Sequence, residues 1–272
     1  MAGQDDRGFR ALTEKITLAR GVRCDSYKEK CLRRRIAVRM RARGVHSFDD
    51  YSRLLDQDAR EYELLLDALT INVTKFYRNP ETWSALAKPH LAELWRAREG
   101  RIRAWSAGCA SGEEPYTIAV LFAETARLAG TPSALAGVRV DATDIDRQSL
   151  ERCADPSYPD TAFTEMPADL VRRYFTPEAP RRPHTSIRAL VQVSSLDLTR
   201  QAPPRPPYDL IACRNVVIYF DRATQERLFD QFAQALSPGG YLVLGKVETL
   251  LGPARERLEL VDPRERIYRR PG

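Results

Sequence analysis

The stretch Ile102-Arg103-Ala104-Trp105-Ser106-Ala107-Gly108-Cys109-Ala110-Ser111-Gly112-Glu113-Glu114-Pro115-Tyr116 decides the fold. Ile102 to Ser106 reads as a strand and Glu114 to Leu128 as a helix, joined by a turn of small residues. Residues 106, 107, 108, 110, 111 and 112 are all small, so a ligand can approach the backbone there. The spacing is Gly108-x-Ala110-x-Gly112, not the GxGxxG of dinucleotide sites. Two glutamates follow at once. A pyrophosphate at this helix start would meet both carboxylates and be repelled, whereas a cation would be attracted. The turn therefore points away from NAD and towards an ammonium or sulfonium ligand such as S-adenosylmethionine. The plainer reading is a tight turn with exposed acids.

Outward from this turn, strands and helices alternate, the pattern of a parallel sheet with crossovers. Val138 to Thr143 reads as a strand and Asp146 to Cys153 as a helix. Leu190 to Val193 and Tyr208 to Cys213 read as further strands. Thr224 to Leu236 is an amphipathic helix, Pro238-Gly239-Gly240 a turn, Tyr241 to Leu244 a strand, and Leu258 to Arg269 a closing hairpin. Residues 154–188 are irregular and rich in proline and arginine, with one short helix near Ala168 to Tyr174. Asp144 ends the second strand, where an acid can bind ribose hydroxyls; the alternative is a cap for the next helix. The fourth strand exits into Arg214-Asn215-Val216-Val217-Ile218-Tyr219-Phe220-Asp221. Asn215 stands there to meet a polar ligand group and Tyr219 to line a pocket, while most of the apolar residues read as core. Pro206-Pro207-Tyr208 precedes this strand rather than following it, so it reads as a loop and not as a catalytic element.

Upstream, residues 1 to about 75 read as helical. Tyr27 to Met40 carries Tyr27, Cys31, Leu32, Ile36 and Met40 near helical spacing, and Gly44 ends that helix. Phe48 to Leu55 and Glu61 to Leu69 follow. Asn79 is placed to cap a helix with Pro80 at its first position, running to about Arg98.

The 272 residues carry 43 Lys+Arg against 37 Asp+Glu, a net charge of +6. The excess is mild, and only 6 of the basic residues are lysine. Nucleic-acid binding needs a clustered patch. One cluster exists, from Arg20 to Arg43. No apolar run approaches the ~18 residues of a membrane span, and the polar N-terminus lacks a signal-peptide stretch, so a cytoplasmic location without membrane insertion is expected. Five widely spaced cysteines and three histidines form no metal-ligand pattern.

Four motifs together resemble the CheR-type chemotaxis receptor methyltransferases. They are Thr70-x-Asn72-x-Thr74-x-Phe76-x-Arg78, Gly112-Glu113-Glu114-Pro115-Tyr116, Thr143-Asp144-Ile145-Asp146 and Cys213-Arg214-Asn215-Val216-x-Ile218-Tyr219-Phe220. Their family order across residues 20 to 270 covers nearly the whole chain. The resemblance implies an α/β fold, a Rossmann-like class I S-adenosylmethionine-dependent methyltransferase domain over residues 76–272. It adds an all-α N-terminal domain over residues 8–75 and a small inserted β-subdomain at 155–190. It implies transfer of a methyl group from S-adenosylmethionine to glutamates of a methyl-accepting chemoreceptor's cytoplasmic helices, leaving S-adenosylhomocysteine. Nucleic acid as substrate, or cofactor binding without turnover, are the competing readings. By motif match, Asn72, Thr74, Arg78, Gly108, Glu114, Asp144, Asn215 and Val216 would bind the cofactor, with Asp197 and Leu198 near its adenine. Arg78 and Tyr219 would lie nearest the transferred methyl. Asp197 stands where the family usually has Asn, and Gly245-Lys246-Val247-Glu248 where many members have Gly-His-Ser-Glu. The basic cluster, with Arg33, Arg34, Arg35 and Arg39, would dock the acidic receptor helices; the plainer reading is a solvated helix face.

Overall fold

The computed structural model describes residues 2–20, 23–69 and 74–272. They form two compact units, residues 1–72 with 219–224 and residues 73–218 with 225–272. The first holds α1 (Ala2–Arg20), α2 (Glu29–Ala42), α3 (Phe48–Gln57) and α4 (Ala59–Leu69). Leu32, Ile36 and Met40 recur every fourth residue on α2, so one stripe of that helix is buried. Gly44, at φ +65°, lies just past its end. Ser47 starts α3 by accepting the Asp50 N–H. Leu12, Ile16, Leu32, Ile36, Tyr51 and Leu65 make the core. Glu61 is fully buried on α4, so it needs partners. It accepts the Tyr51 hydroxyl at 2.7 Å and both arms of Arg39 at 3.0 and 2.6 Å.

The second unit begins with α5 (Pro80–Ala85), a wider π-helical stretch (Leu86–Leu91) and α6 (Ala92–Arg98). The single helix expected here is widened in the middle because Pro89 lacks an N–H and its ring crowds the carbonyl of the preceding turn. There follow β1 (Arg103–Ala107), α7 (Glu113–Leu128), β2 (Arg139–Asp144), α8 (Arg147–Ala154), α9 (Ala168–Tyr174), α10 (Thr185–Arg188), β3 (Val191–Ser195) and β4 (Tyr208–Cys213). After them come α11 (Arg222–Ala235), β5 (Leu236–Leu244), α12 (Ala254–Arg257), β6 (Glu259–Asp262) and β7 (Ile267–Arg269). The sheet order is β3-β2-β1-β4-β5-β7-β6, parallel through β5 and antiparallel at β7 and β6. Every residue of β4 is buried, as a central parallel strand covered on both faces should be. The strand order reverses between β1 and β4, which makes their carboxyl ends the natural ligand crevice.

Residues 155–190 close on themselves through two antiparallel bridges, Tyr158 to Arg181 and Phe175 to Pro183. Six prolines in this segment, each without an N–H, limit any longer ladder. Aromatic packing holds it instead. Phe76 stacks on Phe163 at 4.6 Å and meets Tyr158 and Phe175 edge-on at 4.8 and 5.0 Å. No helix of the described residues is long and apolar enough to cross a membrane. Because Phe76 is fully buried at the centre of this cluster, Phe76→Ala is expected to destabilise the unit by about 3 kcal/mol or more. Urea unfolding followed by tryptophan fluorescence checks this, and a change within about 0.5 kcal/mol would show that the cluster does not hold the segment.

Candidate functional site

The turn after β1 is stitched to the end of β2. The Gly108 and Cys109 N–H groups donate to the Thr143 carbonyl at 2.8 and 2.9 Å, and the Ala110 N–H donates to Asp144 Oδ2 at 2.9 Å. This path needs left-handed backbone at Gly108, Ala110 and Gly112. At Gly108 a side chain would also collide with Val216, since an added Cβ lies 2.5 Å from its Cγ2. Closer to α7, the Tyr158 hydroxyl donates to the Ser111 carbonyl at 2.7 Å.

Asp144 is largely buried, and burial raises its carboxyl above the usual range against the pull of backbone N–H groups. It accepts Ala110 N–H on one oxygen and Asp146 N–H on the other, at 2.9 and 3.0 Å. A carboxylate offers about four acceptor positions, so capacity remains for ligand hydroxyls. The capping alternative falls to Asp146, which accepts the Gln148 N–H and the Ser149 hydroxyl. The Leu196 N–H donates to the Asp144 carbonyl at 2.9 Å, which brings Asp197 and Leu198 beside this strand end. Asp197 Oδ1 closes its own turn by accepting the Thr199 N–H and hydroxyl at 2.8 and 2.6 Å, and Leu198 is buried.

At the exit of β4, Asn215 adopts φ +60°. Glu248, 3% exposed, holds it there. Glu248 Oε2 accepts the N–H groups of Gly245 and Asn215 at 2.5 and 3.0 Å, and Oε1 accepts that of Ile218 at 3.4 Å. A Cβ on Gly245 would lie 2.7 Å from Glu248 Oε2 and 2.9 Å from the Asn215 nitrogen, so only glycine fits. The Asn215 side-chain oxygen is buried without a hydrogen-bond partner among the described residues. It is an acceptor awaiting a donor.

Glu114 is largely shielded at the start of α7, with 13% of its side chain exposed, and desolvation pushes its carboxyl upward. Its Oε1 accepts the Ser106 hydroxyl at 2.7 Å, and its Oε2 lies 3.8 Å from Arg214 Nη1. Arg214 Nη2 donates to the Arg78 carbonyl and to Asn79 Oδ1, at 2.8 and 2.9 Å. The expected Asn79 cap is thereby corrected: Asn79 sits at φ +59° with its side-chain oxygen turned to Arg214, and makes no cap for α5. Arg78 is partly buried and feels the charge of both Glu114 and Arg214. Lys246 lies between Glu81 and Glu265, at 3.1 and 3.5 Å.

The structure thus gathers Gly108, Glu114, Asp144, Asn215 and Val216 at the carboxyl ends of β1, β2 and β4, with the Arg78 carbonyl tied in by Arg214. Thr74 is partly buried in the irregular segment before α5, and Asn72 lies outside the described residues. Tyr219 belongs to the helical unit, where the Arg35 guanidinium lies 4.1 Å over its ring. The four arginines read as one docking face divide on inspection. Arg35 is buried and donates to the Leu69 carbonyl; Arg39 is spent on Glu61; Arg33 pairs with Asp5, Asp6 and Glu29 and lies over the Phe9 ring. Only Arg34 is exposed. Buried charges need partners, and these partners lie far off in sequence. Sequence reading assigned no role to Arg214 or Glu248; the signal for Arg214 was a charge set directly after an apolar strand. Among the described residues no three His, Cys, Asp or Glu side chains gather as metal ligands.

This arrangement fits S-adenosylmethionine on its own chemistry. The partly buried Glu114 carboxylate suits a cationic group, the unpartnered Asn215 oxygen suits an amino donor, and Asp144 suits hydroxyls. Gly245→Ala is expected to weaken S-adenosylhomocysteine binding about tenfold or more, because it dislodges the Glu248 clamp that holds Asn215. Isothermal titration calorimetry checks this, and native affinity would remove Asn215 from the binding set.

The chain matches the family described as CheR methyltransferase, SAM binding domain, over residues 72–266, and its all-alpha domain over residues 7–70. It is 33% identical to the chemotaxis protein methyltransferase of Klebsiella aerogenes, over 92% of this chain and 86% of that protein. Identity to the chemotaxis protein methyltransferase of Salmonella typhimurium is also 33%, with the same coverage. An uncharacterised 104.1 kDa protein of Rhodobacter capsulatus is 33% identical over 96% of this chain, which spans 27% of that longer protein. With the family matched along both parts of the sequence and a crevice whose residues suit the cofactor, the chain belongs to the CheR methyltransferases, and is an S-adenosylmethionine-dependent methyltransferase.

Proposed function

We propose that this enzyme methylates glutamate side chains on the cytoplasmic helices of a chemoreceptor, forming methyl esters, and that it works in the cytoplasm. The observation that carries this reading is the charge layout of the crevice. Carboxylates Glu114 and Asp144 stand at the ends of neighbouring strands, at the residues we assign to the cofactor, and the Arg78 cation acts on Glu114. An anionic nucleophile is drawn to such a cation. The names of the relatives in Klebsiella aerogenes and Salmonella typhimurium agree with it.

S-adenosylmethionine supplies, when bound, a methyl group activated by its sulfonium. Asn72, Thr74, Gly108, Glu114, Asp144, Asp197, Leu198, Asn215 and Val216 are the residues we assign to holding it, together with Arg78. A glutamate has an ordinary pKa of ~4.3 and is already an anion at neutral pH, so the chain need not remove a proton. Its work is alignment and exclusion of water. Arg78 orients the substrate carboxylate, and the family motif assigns Tyr219 to the transfer step. Arg34, the exposed one of Arg33, Arg34, Arg35 and Arg39, is assigned to docking acidic helices.

The test is transfer of labelled methyl to receptor cytoplasmic fragments, with methanol released by mild alkali. Arg78→Ala is expected to lower turnover about a hundredfold or more with the fold intact, because alignment is lost. Asp144→Ala should remove the signal through loss of cofactor. Label that resists alkali would assign a different nucleophile, such as a nucleic-acid base. S-adenosylhomocysteine binding without transfer to any receptor would assign a binding role instead. Arg34→Glu is expected to raise the KM for the receptor several-fold, an effect that shrinks as salt screens the contact.

A further inference from the structure

We propose that Arg214 is a positioning residue of the methyl-transfer site: one buried guanidinium that serves as counter-charge to Glu114 and ties down the main chain of Arg78. This rests on the assignment of Glu114 and Arg78 to the site.

Arg214 is 6% exposed at the end of the fully buried β4, an expensive place for a charge. Its surroundings explain its presence. The guanidinium lies 4.7 Å over the Trp83 ring, and its two outer nitrogens face different loops. Nη1 faces Glu114 Oε2 at 3.8 Å, while Nη2 reaches the Arg78 carbonyl and Asn79 Oδ1 at 2.8 and 2.9 Å. The segment it ties needs holding. Tyr77 and Asn79, on either side of Arg78, both sit at φ +59°, a conformation uncommon outside glycine and, for the bulky Tyr77, one that its surroundings must hold. Thr117 Oγ1 accepts the Tyr77 N–H at 3.1 Å and Glu165 Oε2 accepts the Asn79 N–H at 2.9 Å. Arg214 supplies the tie at Arg78 itself.

The charge role follows from what faces Glu114. Burial disfavours its anion, and Glu248 adds like charge; Arg214 and, more weakly, Arg78 oppose both, with the Ser106 hydroxyl donating. The thiols of Cys109 and Cys213 lie in the same buried region and stay protonated there. Arg214 is the largest charge acting in favour of the anion. Without it Glu114 holds its proton to higher pH, and a neutral Glu114 no longer attracts a cationic ligand. Affinity that falls on acidification would then begin to fall at higher pH.

The two roles separate by substitution, because lysine keeps the charge but not the planar fork. The full-length chain is titrated with S-adenosylhomocysteine across about pH 5.5 to 8.5, and turnover is measured at saturating donor. Arg214→Met is expected to weaken binding at neutral pH about tenfold or more and to move the acid-side loss to higher pH. Glu114→Gln should abolish that pH dependence. Arg214→Lys is expected to restore affinity to within about threefold and to restore the native pH profile, while turnover stays about tenfold low at an unchanged KM for the donor. Near-UV circular dichroism reports the folded fraction throughout. Native affinity and pH profile in Arg214→Met overturns the counter-charge. Full turnover in Arg214→Lys overturns the tie to Arg78. Losses in both variants that merely follow the folded fraction overturn both, and if the methionine variant does not fold, the lysine variant decides. A native chain that binds S-adenosylhomocysteine with this pH dependence yet labels no receptor would sink the receptor reading and leave Arg214 in place.

Discussion

The parallel register of β2, β1 and β4 is the constraint on which the site depends. Ser106 stands opposite Ala142 on one side and Ala212 on the other, so the three strands end almost level. Three loops that are distant in sequence therefore emerge together. The turn after β1 then binds the last carbonyl and the last carboxylate of β2, through Thr143 and Asp144. A one-residue slip of either pairing would turn Asp144 to the other face and leave the Ala110 N–H without its acceptor.

That convergence makes an unusual electrostatic compartment. Glu114, Asp144 and Glu248 are three carboxylates at the same end of the sheet, and desolvation pushes each towards its neutral form. Each is tolerated for a different reason. Backbone N–H groups hold Asp144 and Glu248, whereas Glu114 leans on a hydroxyl and on Arg214. Glu248 is already occupied by N–H groups from both of its loops, so it shapes the site from behind. Glu114 and Asn215 keep acceptor capacity that the protein does not use, and that capacity is what a ligand can satisfy.

Backbone conformation follows the same logic. Among the described residues six non-glycine positions have positive φ, and Tyr77, Asn79, Ala110 and Asn215 are four of them. All four lie in loops that build the crevice. Each is over-determined from outside: Asn79 by Arg214 and Glu165, Tyr77 by Thr117, Ala110 by Asp144, Asn215 by Glu248. Strain of this kind persists only where surrounding structure compensates it, and here it aims ligand-facing groups before any ligand arrives.

What the sequence determined by itself was whatever is encoded in neighbouring residues. The small-residue turn at 106–112, the acid ending β2, the apolar β4 and the helical spacing of α2 all depend on short-range pattern, and the motifs around them carried the family. Long-range pairing was decided only by the tertiary structure. Asn79 before Pro80 satisfied the local rule for a cap, yet Arg214, far along the chain, claimed its side chain. Arg33, Arg35 and Arg39 read as part of an exposed docking face until Glu61, Leu69, Tyr219 and the acids of α1 were folded against them. Glu248 showed no role until β5 placed it behind Asn215. Apolar periodicity is a property of neighbours, so it is visible in one dimension. The partner of a buried charge is chosen by which strands and helices come together, and a linear sequence does not display that choice.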